Sequence, residues 1–252
     1  MSPISPPTFM TLVAAAFAAG FVDAIAGGGG LITLPALTLA GLDPVSAIAT
    51  NKLQGSFGAG SAMRTYARAG HLEWSDAWPL ALLAGLGAVA GALLVSHVPL
   101  RWLAVAMPFA LILIALYFGL SPKLSNAATP PRMGVKAFTL TIAPLVGFYD
   151  GVLGPGAGSF YMLGFVALLG FGIVKATAYT KVANFASNLA ALATLSFTGH
   201  VYWILGFAMG AAQFFGARLG AHAAIRNGAR LIRPMLVTIC LLLAARLVWN
   251  QL

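Results

Sequence analysis

Charged side chains are nearly missing from this sequence. Of its 252 residues only 14 are basic and 5 acidic, and the two classes together make up 8% of the chain. A soluble domain carries about 25% charged residues, so this chain lacks the material for a water-facing shell. The deficit falls in long runs. Residues 79–96, 102–120 and 182–217 form uncharged stretches of 18, 19 and 36 residues, and about 20 apolar residues cross a bilayer core as a helix. A soluble enzyme, a disordered chain and an outer-membrane barrel are thereby excluded. The single cysteine, Cys240, leaves no internal disulfide and excludes a secreted disulfide scaffold. No Lys or Arg precedes the first apolar run, so the N-terminus lacks the basic region of a cleavable signal and is read as part of the mature chain. The expected class is an all-α polytopic membrane protein with about 8–10 membrane segments. The net charge of +9 then reports basic loops and orientation, not nucleic-acid binding.

What is present is a duplication. Gly20-Phe21-Val22-Asp23 corresponds to Gly147-Phe148-Tyr149-Asp150 at an offset of 127, and Gly27 and Gly29 to Gly154 and Gly156. At an offset of 129, Ala47–Lys52 corresponds to Ala176–Lys181, Gly70-His71 to Gly199-His200, and Gly87 and Gly91 to Gly216 and Gly220. A collinear series of this kind marks an internal repeat. It divides the chain into a first transmembrane repeat (1–120), a polar, proline-containing linker (121–136) and a second repeat (137–252).

Each repeat reads as an apolar helix, a glycine-rich break, a short apolar piece and three longer helices. The spans are 8–26, 31–41, 45–67, 77–96 and 101–120, then 137–153, 158–171, 174–197, 201–221 and 231–249. The short pieces cover half to two-thirds of a bilayer core, as half-helices or re-entrant segments. Trp74, Trp78, Trp102, Trp203 and Trp249 fall at span ends, where interfacial aromatics belong. Loops 64–76, 121–136 and 222–233 hold Arg64, Arg68, Lys123, Arg132, Lys136, Arg226, Arg230 and Arg233, whereas the opposite loop holds Arg101. Parallel repeats would scatter these cations over both sides. Inverted-topology repeats gather them on one, which the positive-inside rule makes cytoplasmic. Both termini are then expected outside.

Inside the apolar spans stand Asp23, Lys52, Asp150 and Lys181, with Asn184 and Asn188 nearby. A charge at the centre of a membrane helix costs about 2.5–3.5 kcal/mol on insertion scales. One structural arrangement pairs acid with base inside each repeat, Asp23 with Lys52 and Asp150 with Lys181. A functional reading stands beside it, because intramembrane ionisable groups mark pathways and proton relays. Asp23 and Asp150 are therefore candidates for proton coupling.

The glycines give the site. Gly27, Gly28, Gly29 and Gly30 interrupt one apolar run, and Gly154, Pro155, Gly156 and Gly158 interrupt the corresponding one. Unwound backbone at membrane depth is tolerated where it lines a cavity, and its free N–H groups, with the half-helix N-terminus that follows, favour an anion. Two such breaks at matching places point to a transporter site near the midplane. Lys52 and Lys181 would add point charges. Asn51, Gln54, Asn184 and Asn188 would add hydrogen bonds. No Walker motif is present, and His71, His97, His200 and His222 lie at span edges without metal-ligand spacing. No metal, cofactor or catalytic residue is assigned. An intramembrane hydrolase would need a histidine at membrane depth beside Ser159.

These same residues resemble a known family. GFVDAIAGGGGLITLPAL followed by ATNKLQG, and GFYDGVLGPGAGSF followed by KATAYTKVANFASN, are similar to the paired signatures of the TauE/SafE sulfite-exporter family, in its inner-membrane permease branch. The resemblance implies a multi-pass protein of the bacterial inner membrane that exports small anions such as sulfite or organosulfonates. It carries the family's signature regions onto Gly27–Gly30 with Asn51 and Lys52, and onto Gly154–Gly158 with Thr180, Lys181, Asn184 and Asn188. Pro155 stands where the first repeat has Gly28, and Thr180 where it has Asn51, so the two half-sites should contact a ligand differently. The partners implied are a small-molecule anion and the lipid bilayer; a homo-oligomer is compatible with the residues. A passive anion channel of the same architecture and a structural assembly factor are the remaining readings.

Overall fold

The fold is taken from a computed structural model that describes residues 4–94, 112–113, 115–120, 126–197 and 199–249. The described residues are helical, with no strands among them. Helix α1 (Pro6–Ala26) starts where Ser5 caps it and Pro6 fixes the first turn. It stops at Gly27 and Gly28, whose φ angles of 79° and 90° favour glycine. Helix α2 (Gly30–Leu39) then runs only 10 residues. Helix α3 (Pro44–Arg68) opens on an Asp43 cap, whose carboxylate accepts the N–H groups of Val45 and Ser46 at 3.1 and 3.0 Å. Helix α4 (Trp74–Leu94) follows.

The second repeat has α5 (Val135–Val152), α6 (Ala157–Ala167), α7 (Ile173–Ser196), α8 (Trp203–Asn227) and α9 (Ala229–Trp249). Gly154 and Gly156, at φ 89° and 82°, make the second break. At about 1.5 Å per residue, α2 and α6 reach about 15–17 Å, half a bilayer core. Both end earlier than the sequence reading placed them, at Leu39 and Ala167 instead of 41 and 171. The turn after α6 is occupied otherwise: Gly170 O and Leu168 O accept hydrogen bonds from Thr129, Arg132 and Met133 of the linker. Of the expected span 101–120, residues 112–113 and 115–120 are helical; His97, Arg101, Trp102 and Lys123 lie outside the described residues.

Helices α1, α4 and α8 are long and apolar enough to cross a membrane. Large apolar side chains stand exposed along the bundle, among them Met10, Leu86, Leu140, Leu145, Phe215 and Leu219. Such a surface suits hydrocarbon and would be a liability in water. A polar cluster is buried beside the apolar core. Helices α3 and α7 pack on each other between α4 and α8, and they bury Asn51, Lys52, Gln54, Lys181, Asn184 and Ser187.

Helices approach through glycines. A Cβ on Gly216 would lie 2.0 Å from Phe17 O, and one on Gly220 would lie 2.2 Å from Phe21 O. The corresponding glycines, Gly87 and Gly91, meet Pro144 O and Phe148 O at 2.1 Å each. Helices α1 and α8 therefore run parallel, as do α4 and α5, and the repeat offsets exchange one contact set for the other. The repeat-related pair α3 and α7 cross with opposite sense, because Gly55 faces Asn188 while Gly60 faces Phe185. The described parts of the three basic loops gather at one end of the bundle. Lys175, at the start of α7, pairs with Glu73 at 2.6 Å, and the linker touches both the turn before α7 and Ala229.

Candidate functional site

The two breaks meet in the centre of the molecule. Gly27 packs on the Gly158 backbone, with 3.1 Å from a Cβ built at Gly27 to Gly158 C. Between them lies a cavity of about 40 Å³ lined by Asp23, Gly28, Gly29, Gly30, Asn51, Gly55, Asp150, Gly154, Gly156, Ala157, Gly158, Asn184, Asn188 and Gln213. Gly30 begins α2 and Ala157 begins α6, so two half-helix N-termini converge on one small space. The positive ends of both peptide-dipole arrays therefore face the same point. Two larger cavities, about 590 and 490 Å³, are lined almost wholly by apolar side chains, one along α9 and one between α4 and α7. Among the described residues they bring no convergent polar groups together.

An asparagine amide stands beside each N-terminus. Asn51 Oδ1 accepts from Thr33 Oγ1 at 2.6 Å and from Gln54 Nε2 at 2.8 Å. This leaves its Nδ2 facing the start of α2, 3.5 Å from where a Gly30 Cβ would be. Asn184 Nδ2 lies 3.0 Å from the corresponding point on Gly158 at the start of α6. Asn188 Nδ2 donates to Asn184 O, one turn back along α7. The buried oxygens Asn184 Oδ1 and Gln213 Oε1 have no hydrogen-bond partner among the described residues. A buried acceptor left without a donor is costly, so a cavity with such a lining suits an occupant that brings an N–H or O–H.

The ion pairs correct one expectation. The acid and base of each repeat do not pair with each other; the pairs cross between repeats. Lys52 Nζ lies 2.7 Å from Asp150 Oδ1, and Lys181 Nζ lies 2.9 Å from Asp23 Oδ2. Lys52 also donates to Asp150 O. The reason is positional. The C-terminal end of α1, with Asp23, runs past the break to the start of α6, beside Lys181 on α7. The end of α5 does the same at the start of α2.

Sixteen positions were expected to serve the site, and the structure divides them. Asp23, Gly28, Gly29, Gly30, Asn51, Asp150, Gly154, Gly156, Gly158, Asn184 and Asn188 line the cavity. Lys52 and Lys181 stand behind it, 1% and 0% exposed, with their ammonium groups held by carboxylates. Gln54 supports Asn51, Gly27 packs on Gly158, and Thr180 Oγ1 donates back to Ala176 O. Three residues that the sequence reading missed belong here. Gln213 and Gly55 line the cavity, and Ser187 Oγ donates to the second carboxylate oxygen of Asp150. The signal lay in the repeat register: Ser187 corresponds to Gly58 and Gln213 to Ala84. These are polar residues in one repeat where the other has a small one.

Comparison with known proteins gives the same direction. The family model described as "Sulfite exporter TauE/SafE" matches residues 12–247. A Sinorhizobium protein described as "Probable membrane transporter protein ORF9" is 52% identical over 236 residues, 94% of this chain and 90% of its own length. A "Probable membrane transporter protein" of Haemophilus influenzae is 42% identical over 235 residues, 93% of this chain and 92% of its own. The Escherichia coli K12 protein described as "Probable membrane transporter protein YfcA" is 43% identical over 248 residues, 98% and 92% of the two lengths. No solved structure matches. With the signature glycines and lysines at one central site, and the match extending over nearly the whole length, the chain belongs to the TauE/SafE family.

Proposed function

We propose that this protein is a secondary transporter that carries a small anion, sulfite or an organosulfonate, outward across the bacterial inner membrane by alternating access. One observation carries the reading: two half-helix N-termini, each with an asparagine amide, converge on a single small cavity at the meeting of the two repeats. Backbone N–H groups and helix dipoles favour an anion there. The two lysines and two aspartates cancel, so the site is not flooded with charge before substrate arrives. The cavity, about 40 Å³, is little larger than a water's share of liquid volume, about 30 Å³. On this reading the walls move as substrate enters, as in a carrier.

The repeats are read as inverted. Exchange of contacts under the repeat offsets, with α3 and α7 antiparallel, fits a two-fold axis in the membrane plane. Loops 64–76, 121–136 and 222–233 are then cytoplasmic and both termini outside. Each crossed ion pair ties a helix of one repeat to a helix of the other, so rocking of the halves works against both. Asp23 and Asp150 are the proton-coupling candidates. The test is the thermal stability of purified protein across a panel of anions. A ligand at 100 times its Kd adds about 2.7 kcal/mol to stability. Sulfite or a short sulfonate is expected to stabilise the wild-type protein, with a weaker effect in Lys181→Ala. A panel in which no sulfur oxyanion or sulfonate stabilises the folded wild type overturns the reading.

A further inference from the structure

The two intramembrane carboxylates are not equivalent. Asp150 is locked: Lys52 holds one oxygen, Ser187 Oγ holds the other, and its side chain is 5% exposed. Asp23 is 14% exposed. Its Oδ2 takes the Lys181 ammonium, and its Oδ1 accepts the backbone N–H of Gly29 at 3.1 Å. Gly29 is the capping residue of α2. The carboxylate of Asp23 thus occupies donors that an anion at the first half-site would need. No such bond joins Asp150 to Gly156 among the described residues, so the start of α6 is left to the cavity. In the first repeat the counterpart of Ser187 is Gly58, which has no hydroxyl to fix Asp23. Asn184, 6% exposed and with its Oδ1 unpartnered, lines the same cavity.

We propose that Asp23 is a resident anion holding the substrate's place, and that substrate binds at the first half-site as Asp23 takes up a proton. This rests on the anion-transporter reading and adds its linkage: anion binding and proton uptake at Asp23 occur together. The step balances. A proton adds to a carboxylate oxygen of Asp23, and its bonds to Gly29 N–H and Lys181 Nζ are released to the incoming anion. The cavity's formal charge is zero before, with two lysines and two aspartates, and zero after, with two lysines, Asp150 and the anion. Either event alone is unfavourable. Protonation alone leaves the Lys181 ammonium buried without a partner, and anion binding alone places two negative groups on the same donors. That mutual dependence is the linkage that makes coupling tight.

The other ionisable groups near Asp23 have separate engagements. Tyr66 of α3 donates to Ala24 O, Tyr161 of α6 donates to Ala143 O, and Lys52 is paired with Asp150. Helix α8 brings the exposed Arg218, α9 brings the buried thiol of Cys240, and α2 has no ionisable side chain.

The test is calorimetric titration of the purified full chain with methanesulfonate, an anion of constant charge, at pH 6.5–8. Buffers of different ionisation heat count the protons. The wild type is expected to take up about one proton per anion, with Kd rising up to tenfold per pH unit. Glu73→Gln, at the bundle end and away from the cavity, keeps both behaviours. Asp23→Asn binds with neither proton uptake nor pH dependence. A wild type that binds without proton uptake, or an Asp23→Asn variant that retains it, overturns the proposal while leaving the anion site standing. The wild-type count needs no variant, so a misfolded substitution does not spare the idea. Wild-type protein that binds neither methanesulfonate nor sulfite brings down the anion site and this inference with it.

Discussion

Replacing Lys52 by methionine tests the crossed pairing. The Lys52 side chain is 1% exposed and that of Asp150 5%, so the substitution leaves a buried carboxylate with Ser187 as its remaining side-chain donor. Breaking a buried pair from one side costs about 3–5 kcal/mol, because the surviving charge is uncompensated. Removing both charges avoids that penalty. Lys52→Met combined with Asp150→Leu is therefore expected to be more stable than the sum of the single costs predicts, by at least about 2 kcal/mol of coupling. The within-repeat combination, Lys52→Met with Asp23→Leu, strands both Asp150 and Lys181 and should cost nearly the sum of its parts. Thermal unfolding in detergent, followed by tryptophan fluorescence, reads the difference. At about 2–4 °C per kcal/mol for a chain of this size, each single substitution lowers Tm by about 6–20 °C. If the within-repeat double substitution is the one that recovers stability, the crossed arrangement is wrong.

Three smaller outcomes follow from the same geometry. Gly216→Ala places a methyl group 2.0 Å from Phe17 O, so α1 and α8 must separate; a loss of about 1–3 kcal/mol is expected in the same unfolding assay. Asp43→Ala removes the cap that holds the N–H groups of Val45 and Ser46 and should cost about 1 kcal/mol. At the bundle end, the hydrogen bond and charge of Lys175 hold the exposed Glu73 carboxyl below its ordinary value of 4.5. Its folded value is the lower one, so its contribution is present above pH 4.5 and fades as pH falls through the folded value. Glu73→Gln should flatten that part of the profile of stability against pH.

Much of this architecture is legible in the residues. Positive-φ glycines at 27, 28, 154 and 156 are where a chain read for helix must break, and the repeat offsets place both breaks. Uncharged runs give the long helices, because a bilayer demands length and apolarity and little else. The ends of α2 and α6 were less legible, since an apolar run does not announce where tertiary contact stops a helix; the linker settles it by bonding to Leu168 O and Gly170 O. The ion pairs were misjudged because sequence shows one acid and one base per repeat, and proximity along the chain favours partners within it. Which lysine meets which carboxylate depends on how the repeats interlock. That interlocking also withdraws Lys52 and Lys181 from the cavity they were expected to line. Gln213 escaped notice as a lone amide in an apolar helix, with Ala84 as its silent counterpart.

The most direct test of the transporter reading is counterflow in proteoliposomes. Vesicles are loaded with unlabelled sulfite and given labelled sulfite outside. A carrier with one alternating site predicts transient accumulation of label above its equilibrium level, saturable in sulfite and lost in a Lys181→Ala protein that still folds. Flux that never saturates and shows no counterflow contradicts alternating access and identifies a passive pore. Label that stays outside wild-type vesicles across the whole sulfur-anion panel contradicts the anion site itself.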